Sequence, residues 1–394
     1  MKLLIYTHEF PPFLGGLATT SMKLVEGLSG HADSLIAIVP GYGSNQEIID
    51  NRLNCEIIRV PLLGSRYIKS IPFLQQVMGF FFLYYHIVKN KPDVVLFITE
   101  EAESVGGMVS YFTGFKSVVR VAGSGIVTCF HGKAFNKRIL RHPMSTLYKK
   151  TNRVIAVSNY TKSLLEGIGV DDNKIRVIFN GVNSLLLEEP VNTGNTEILR
   201  KRYGIDKEDN VIITIARVLP RKGQDHVIRS LPGVLKKVPN LKYLVVGEGK
   251  HRQEFEKLAN QLGVRSNVIF TGGVENKSVV DFLDLSDLFI MPNRAWNNKV
   301  EGLPNAIIEA SARGKAVIAG NHSGSVEAVV HKETGLLVDS TDPEKIGEAI
   351  TELLTDKDKL NEYGEKGKIF IRNNFREDLM IKNYFNLIEE VADL

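Results

Sequence analysis

Val211-Ile212-Ile213-Thr214-Ile215-Ala216 runs directly into Arg217-Val218-Leu219-Pro220-Arg221-Lys222-Gly223, and a helical pattern takes over across 224–238. Six consecutive apolar or β-branched residues read as a strand buried on both faces, as in a parallel sheet whose crossovers are helices. The basic loop leaves the C-terminal end of that strand, which is the edge where doubly wound sheets hold their ligands.

The same alternation repeats outward. Downstream, strands are predicted at 241–246, 267–270, 288–291 and 316–319, with helices at 251–262, 279–283, 304–313 and 343–354. Upstream, strands are predicted at 2–6, 34–39, 55–60, 94–99, 117–121, 153–157 and 174–178, with helices at 19–29, 73–89 and 160–167. A polar stretch at 188–196, with Pro190 and Gly194, has the composition of a linker. The expectation is an α/β chain of two doubly wound, Rossmann-like domains, 1–190 and 191–372, facing across a cleft that holds a ligand. A final helical pattern runs to 391, and residues 373–394 are expected to pack back on the first domain.

The totals agree with this. The 394 residues are 43% apolar and 24% charged, ordinary for a globular chain of two domains. Residues 1–190 hold 20 Lys and Arg against 15 Asp and Glu, and residues 191–394 hold 29 against 30, too small an excess to suggest nucleic acid. Cys55 and Cys129 make no ligand-spaced pair, so a reducing compartment is expected. The start lacks the pattern of a secretory signal, and the longest apolar run, 78–88, is too short to span a bilayer.

Three segments carry chemistry. Gly15 and Gly16 precede the first helix, where residues without Cβ let backbone amides approach a phosphate; a plain strand-to-helix turn is the alternative. Their spacing is not the dinucleotide fingerprint, which disfavours a dehydrogenase. Arg217 and Lys222 suit a diphosphate, one offering a planar fork of donors and the other a compact charge; a solvated basic loop is the alternative. In Val300-Glu301-Gly302-Leu303-Pro304-Asn305-Ala306-Ile307-Ile308-Glu309-Ala310, Pro304 suits a first helical position. That leaves Glu301 in the loop before the helix and Glu309 inside it. Gly302, Leu303 and Asn305 offer amides to a phosphate, and the two carboxylates accept hydrogen bonds from sugar and ribose hydroxyls.

Together with Val157-Ser158-Asn159-Tyr160-Thr161, Asn180-Gly181-Val182, Val246-Gly247-Glu248-Gly249 and Thr334-Gly335-Leu336-Leu337-Val338, these segments resemble glycosyltransferase family 4, the retaining GT-B enzymes. The stretch from Val300 to Gly320 and Gly324 is most similar to the phosphatidylinositol mannosyltransferase branch. The resemblance implies a cytoplasmic hexosyltransferase using a nucleotide diphosphate sugar, GDP-mannose first and UDP-linked sugars next. Its acceptor would be a glycolipid, lipid-linked or polysaccharide-precursor molecule. The first domain would bind acceptor and the second the donor. Arg217 and Lys222 would neutralise the diphosphate, Glu301 would contact the sugar, Glu309 the ribose, and Gly15 and Gly16 the phosphate or acceptor. Retention is expected through a same-face reaction without a covalent nucleophile. No Asp-x-Asp stands at a strand end, so no metal and no other cofactor is expected.

One departure stands out. Where the family places a His-Gly pair after the 117–121 strand, this chain has Ala122-Gly123, and a His-Gly pair occurs only at His131-Gly132. Either His131 has moved along a longer loop and is the active-site histidine, or Ala122-Gly123 has replaced the pair and His131 is a partly exposed loop residue. Residues 131–153 then carry Lys133, Lys137, Arg138, Arg141, Lys149, Lys150 and Arg153 with no Asp or Glu, interleaved with apolar residues. Such a stretch suits peripheral docking on the anionic inner face of a membrane; a solvated helix face is the alternative. Rival readings of the whole are a nucleotide-sugar epimerase of the same fold and an inactive nucleotide-sugar-binding module.

Overall fold

Strand β1 (Lys2–Tyr6) alternates its side chains between two cores. Leu4 and Tyr6 face one, and Leu3 and Ile5 the other. The same division continues through β2 (Ser34–Pro40), β3 (Glu56–Val60), β4 (Val94–Phe97), β5 (Ser117–Val121) and β6 (Arg153–Ala156), while the edge strand β7 (Ile175–Val177) adds Ile175 and Val177 to the core that holds Leu4 and Tyr6. All pair in parallel in the order β3-β2-β1-β4-β5-β6-β7. The order reverses between β1 and β4, so loops leaving these two strands frame a crevice at the carboxyl edge.

The computed structural model describes residues 1–13, 15–42, 46–61, 63–64, 73–130, 135–297 and 299–394. It divides into one unit of Met1–Asn180 with Glu377–Leu394, and a second of Gly181–Arg376. Within the first, the last helix, Glu377–Asp393, buries Met380, Ile381, Tyr384, Leu387, Ile388 and Val391 against Leu24, Leu28 and the sheet.

The second unit is a six-stranded parallel sheet of β8 (Asn210–Ile215), β9 (Leu241–Val246), β10 (Val268–Gly272), β11 (Leu288–Met291), β12 (Ala316–Gly320) and β13 (Gly335–Val338). Its order is β10-β9-β8-β11-β12-β13, which reverses between β8 and β11. Both units thus have the doubly wound α/β architecture expected from the alternation.

Where the chain passes between units, the structure differs from the sequence reading, which set boundaries at 190 and 372. The Val182 N–H donates to Phe375 O at 2.8 Å, and Val182 bridges Arg376 in parallel, tying the outgoing and returning segments together inside the second unit. Arg313 anchors the supposed linker by donating to the carbonyls of Leu186 at 3.1 Å and Glu189 at 2.7 Å. The linker's last residues belong to a helix, Thr193–Tyr203, capped by the Asn192 side chain and closed by Gly204 at φ 62°.

Helices Glu100–Val109, Ser124–Phe130, Phe135–Lys150 and Lys357–Asn374, and strand β13, add to the elements read from sequence. Gly364 explains one omission. A Cβ there would lie 2.1 Å from Gly314 O, so the glycine marks close helix-to-backbone packing inside Lys357–Asn374 and not a break.

Candidate active site

The loop after β8 and the loop after β11 meet at the reversal point of the second sheet. Pro220–Lys222 makes a single 3-10 turn, closed by Gly223 in the left-handed region at φ 82°. This turn holds Arg221 and Lys222 against Glu301. Lys222 Nζ lies 3.0 Å and Arg221 Nη1 3.2 Å from Glu301 Oε1. Arg221 Nη1 also donates to Val300 O at 2.8 Å. All three side chains are nearly buried.

Burial disfavours both charges, but the balance differs. For Lys222 burial is the largest influence and holds the ammonium below its ordinary range, although Glu301 opposes this. For Glu301 burial pushes up, yet Lys222, Arg221 and Arg217 together outweigh it and hold the carboxyl below its ordinary range. Arg217 is exposed and adds positive charge to both. The site therefore carries a net positive charge at neutral pH, suited to an anion.

Packing fixes the Glu301 loop from below. Gly324 presses so closely on it that a Cβ would lie 1.5 Å from Gly302 O. Asn293, buried just after β11, accepts from Ser325 Oγ at 2.8 Å through Oδ1 and from Ser340 Oγ at 2.9 Å through its backbone carbonyl. Arg294 makes a two-pronged pair with Asp225 at 3.0 and 2.6 Å, and its N–H donates to Arg221 O at 2.9 Å.

Gly302 and Leu303 are buried beside Glu301, and Asn305 opens the helix Asn305–Ala312. Pro304 is the cap residue of that helix, with extended ψ of 107°, and not its first helical residue, which corrects the sequence reading by one position. Glu309 lies half-buried in the second turn.

Sequence reasoning named Arg217 and Lys222 but passed over Arg221, Asn293, Arg294 and Asp225. Arg221 stood inside the quoted basic loop, and Asn293 and Arg294 follow the end of an apolar strand, so position at a carboxyl edge was the available signal.

In the first unit, Gly15 caps and Gly16 opens the helix Gly16–Ser29, which has no acidic residue in its first turn. The loop before it is clamped by Arg59. Its Nη1 donates to Pro11 O and Pro40 O, both at 2.9 Å, its Nε and Nη2 hold Asp50 at 3.0 and 2.7 Å, and its guanidinium lies over Phe10. The His8 N–H donates to Thr99 Oγ1 at 3.1 Å, joining the loops after β1 and β4. Ala122 and Gly123 follow β5 directly, Gly123 at φ 96°. His131 lies outside the described residues.

The described part of the basic stretch 131–153 forms the helix Phe135–Lys150 and the start of β6, and its apolar residues are divided, with Ile139 exposed. Met144, Leu147 and Tyr148 belong to the core. Several cations are also engaged internally. Arg141 donates to Cys129 O at 3.1 Å, Lys150 to Ser110 O, and Arg153 pairs with Glu390. Among the described residues no helix is long and apolar enough to cross a membrane.

Residues 195–370 match the family described as glycosyl transferases group 1, and residues 14–184 match Glycosyltransferase Family 4. The chain belongs to glycosyltransferase family 4. As a family 4 glycosyltransferase it transfers a sugar from a nucleotide sugar. It is 28% identical, over 96% of both chains, to a GDP-mannose-dependent α-(1-6)-phosphatidylinositol monomannoside mannosyltransferase of Mycobacterium tuberculosis. A GDP-mannose-dependent monoacylated α-(1-6)-phosphatidylinositol monomannoside mannosyltransferase of Corynebacterium glutamicum is 25% identical over 98% of both. The crystal structure of Anabaena Alr3699/HepE in complex with UDP superimposes with a TM-score of 0.80 over 100% of each chain at 19% identity. That likeness gives this family 4 enzyme its GT-B fold.

Proposed function

We propose that the chain transfers mannose from GDP-mannose, with retention, to a glycolipid or other lipid-linked acceptor. The observation carrying this reading is the buried Arg221–Lys222–Glu301 cluster at the reversal point of the second sheet, a preorganised cationic seat for a departing diphosphate. The choice of mannose and lipid acceptor rests on the two full-length relatives.

In the proposed reaction the acceptor hydroxyl oxygen bonds to the anomeric carbon from the face that the diphosphate leaves. The bond from that carbon to the phosphate oxygen breaks with its electron pair on the diphosphate, and the hydroxyl proton passes to the leaving oxygen. Charge grows on the diphosphate during this step, so donors already fixed at that point lower the barrier. Lys222, Arg217 and Arg221 supply that charge, with the amides of Gly302, Leu303 and Asn305. Glu301 keeps the two buried cations in place and contacts the sugar, and Glu309 accepts from the ribose hydroxyls. Gly15 and Gly16 approach phosphate or acceptor through their amides. The fixed cations do the work that a divalent metal does elsewhere, so the reaction is proposed to be metal-independent. A lipid-linked acceptor sits in a bilayer, so the enzyme is proposed to work peripherally on the cytoplasmic face.

The test pairs GDP-mannose and UDP-glucose with a membrane-lipid extract, and reads product by mass and by the one-bond carbon–proton coupling at the anomeric centre. An α-mannosylated lipid formed from GDP-mannose supports the reading. A β-linked product, or donor consumed with no acceptor present, contradicts it.

A further inference from the structure

The helix Leu74–Asn90 is apolar on both sides. Inward, Leu83 and Ile87 join the core of the first unit. Outward, Val77, Phe81, Tyr84, Tyr85 and Val88 recur at helical spacing along one exposed stripe, with Phe81 64% and Tyr85 54% exposed. A helix on a water-facing surface normally carries polar residues there, and contiguous exposed apolar patches mark interaction sites.

The stripe continues beyond its own helix. Phe80, stacked on Tyr84 and edge-on to Phe81, also meets Phe112, which is 69% exposed at the corner after Glu100–Val109. Tyr111 beside it stacks on His142 and bonds Thr146, both on the outer side of Phe135–Lys150. The aromatic corner thus joins the apolar stripe to the exposed side of the basic helix, which presents Arg138 and Lys149.

The segments that build this surface carry only cations, and Glu56 of β3, close to His86, stands at its margin. Residues 73–92, 110–117 and 131–153 contain no Asp or Glu. Lys89 Nζ lies over the Tyr85 ring at 5.4 Å and Lys150 Nζ over the Tyr111 ring at 5.4 Å, so cations sit directly against the aromatic faces. A second copy of the chain would set cation against cation, which opposes self-association. An anionic lipid surface satisfies both parts, since tyrosine and phenylalanine enter the headgroup boundary while lysine and arginine meet the phosphates.

We propose that the outer face of Leu74–Asn90, with the Tyr111–Phe112 corner and the exposed cations of Phe135–Lys150, is the surface by which this chain docks on an anionic bilayer. This moves most of the apolar membrane contact away from residues 131–153, where Met144, Leu147 and Tyr148 are core and Ile139 is exposed. It deepens the peripheral location proposed above and rests on that reading.

The experiment is co-sedimentation of the full chain with phosphatidylcholine vesicles, with and without phosphatidylglycerol, alongside Phe81→Ser/Phe112→Ser and Arg138→Glu/Lys149→Glu. These side chains are exposed, so the variants should keep the wild-type melting temperature. The wild type binds the anionic vesicles; the serine pair weakens binding at least tenfold at any salt concentration; the glutamate pair weakens it mainly at low salt. Light scattering gives one unchanged mass for wild type and the serine variant. Equal binding by wild type and the serine pair overturns the proposal. So does a wild-type dimer that the serine pair dissociates, which would make the stripe a contact between copies. Donor turnover with a water-soluble acceptor separates this inference from the proposed reaction. Stripe-dependent binding without turnover leaves the surface standing and removes the reaction; turnover without vesicle binding does the reverse.

Discussion

Lys222 Nζ and Glu301 Oε1 stand 3.0 Å apart, although one follows β8 and the other β11 and 78 residues lie between them along the chain. Their meeting makes a buried charge pair out of two loops, and it can be taken apart. Lys222→Ala should lower the transfer rate about 10²–10³-fold, the usual effect of removing one aimed donor. It also leaves buried Glu301 with the Arg221 ion pair and the more distant Arg217, and stability should fall by about 1–3 kcal/mol. The double variant Lys222→Ala/Glu301→Gln should recover most of the melting temperature and none of the activity. Recovery of both would assign the pair to stability alone.

Glu103 gives the pH prediction. It is buried in the first unit and accepts from Tyr148 Oη at 2.5 Å, and burial pushes its carboxyl up to about 8. The folded state therefore holds a proton that the unfolded chain releases near 4.5. Stability from this group is complete below that lower value and is lost as pH rises toward 8. Glu103→Gln keeps an acceptor for Tyr148 without the charge. Its melting temperature relative to wild type should rise across this window and level off above it. A constant difference from pH 5 to 9 would show that Glu103 ionises normally in the fold.

Gly324→Ala tests the support under Glu301. A methyl group 1.5 Å from Gly302 O cannot be accommodated without moving the Gly302–Leu303 peptide, and Glu301 beside it. Overpacking of this kind typically costs about 1–3 kcal/mol. Turnover should fall at least tenfold, and Gly324→Ser should do the same. Wild-type turnover in both would show that the loop's position is not critical.

Arg59→Lys keeps the charge near Asp50 but removes the fork that also reaches Pro11 O and Pro40 O. The loop leading to Gly15 then loses its clamp. Transfer efficiency should fall about tenfold, corresponding to about 1.4 kcal/mol, while the affinity for free GDP stays within twofold of wild type. Equal loss in GDP binding would place Arg59's effect on the whole fold.

Turnover after dialysis against EDTA should equal that before it. Loss of activity restored by added manganese would require a metal in the reaction.

The two sheets were legible because parallel strands are continuous apolar runs, and 211–216 or 288–291 admits few other readings. The helix Thr193–Tyr203 was not, because it buries no residue and leaves Ile198 exposed, so no apolar stripe marks it. Its end caps, Asn192 and Gly204, were the only local signs. Lys357–Asn374 was hidden by Gly364, which looks like a breaker until the contact with Gly314 is known. In the site, the types and order of Arg217, Lys222, Glu301 and Glu309 were readable from the chain. The burial of Arg221, and its meeting with Glu301, depended on the β8–β11 reversal and was not. The basic run at 131–153 was legible in its charge and not in its packing. Composition counted its apolar residues but could not say that Met144, Leu147 and Tyr148 point inward.

The most direct measurement is calorimetric titration of GDP and UDP into the wild type and into Lys222→Ala/Arg221→Ala. The account predicts that the wild type binds a nucleoside diphosphate and that the double variant, still folded by circular dichroism, binds it at least a hundredfold more weakly. Wild-type affinity in the folded variant would contradict it.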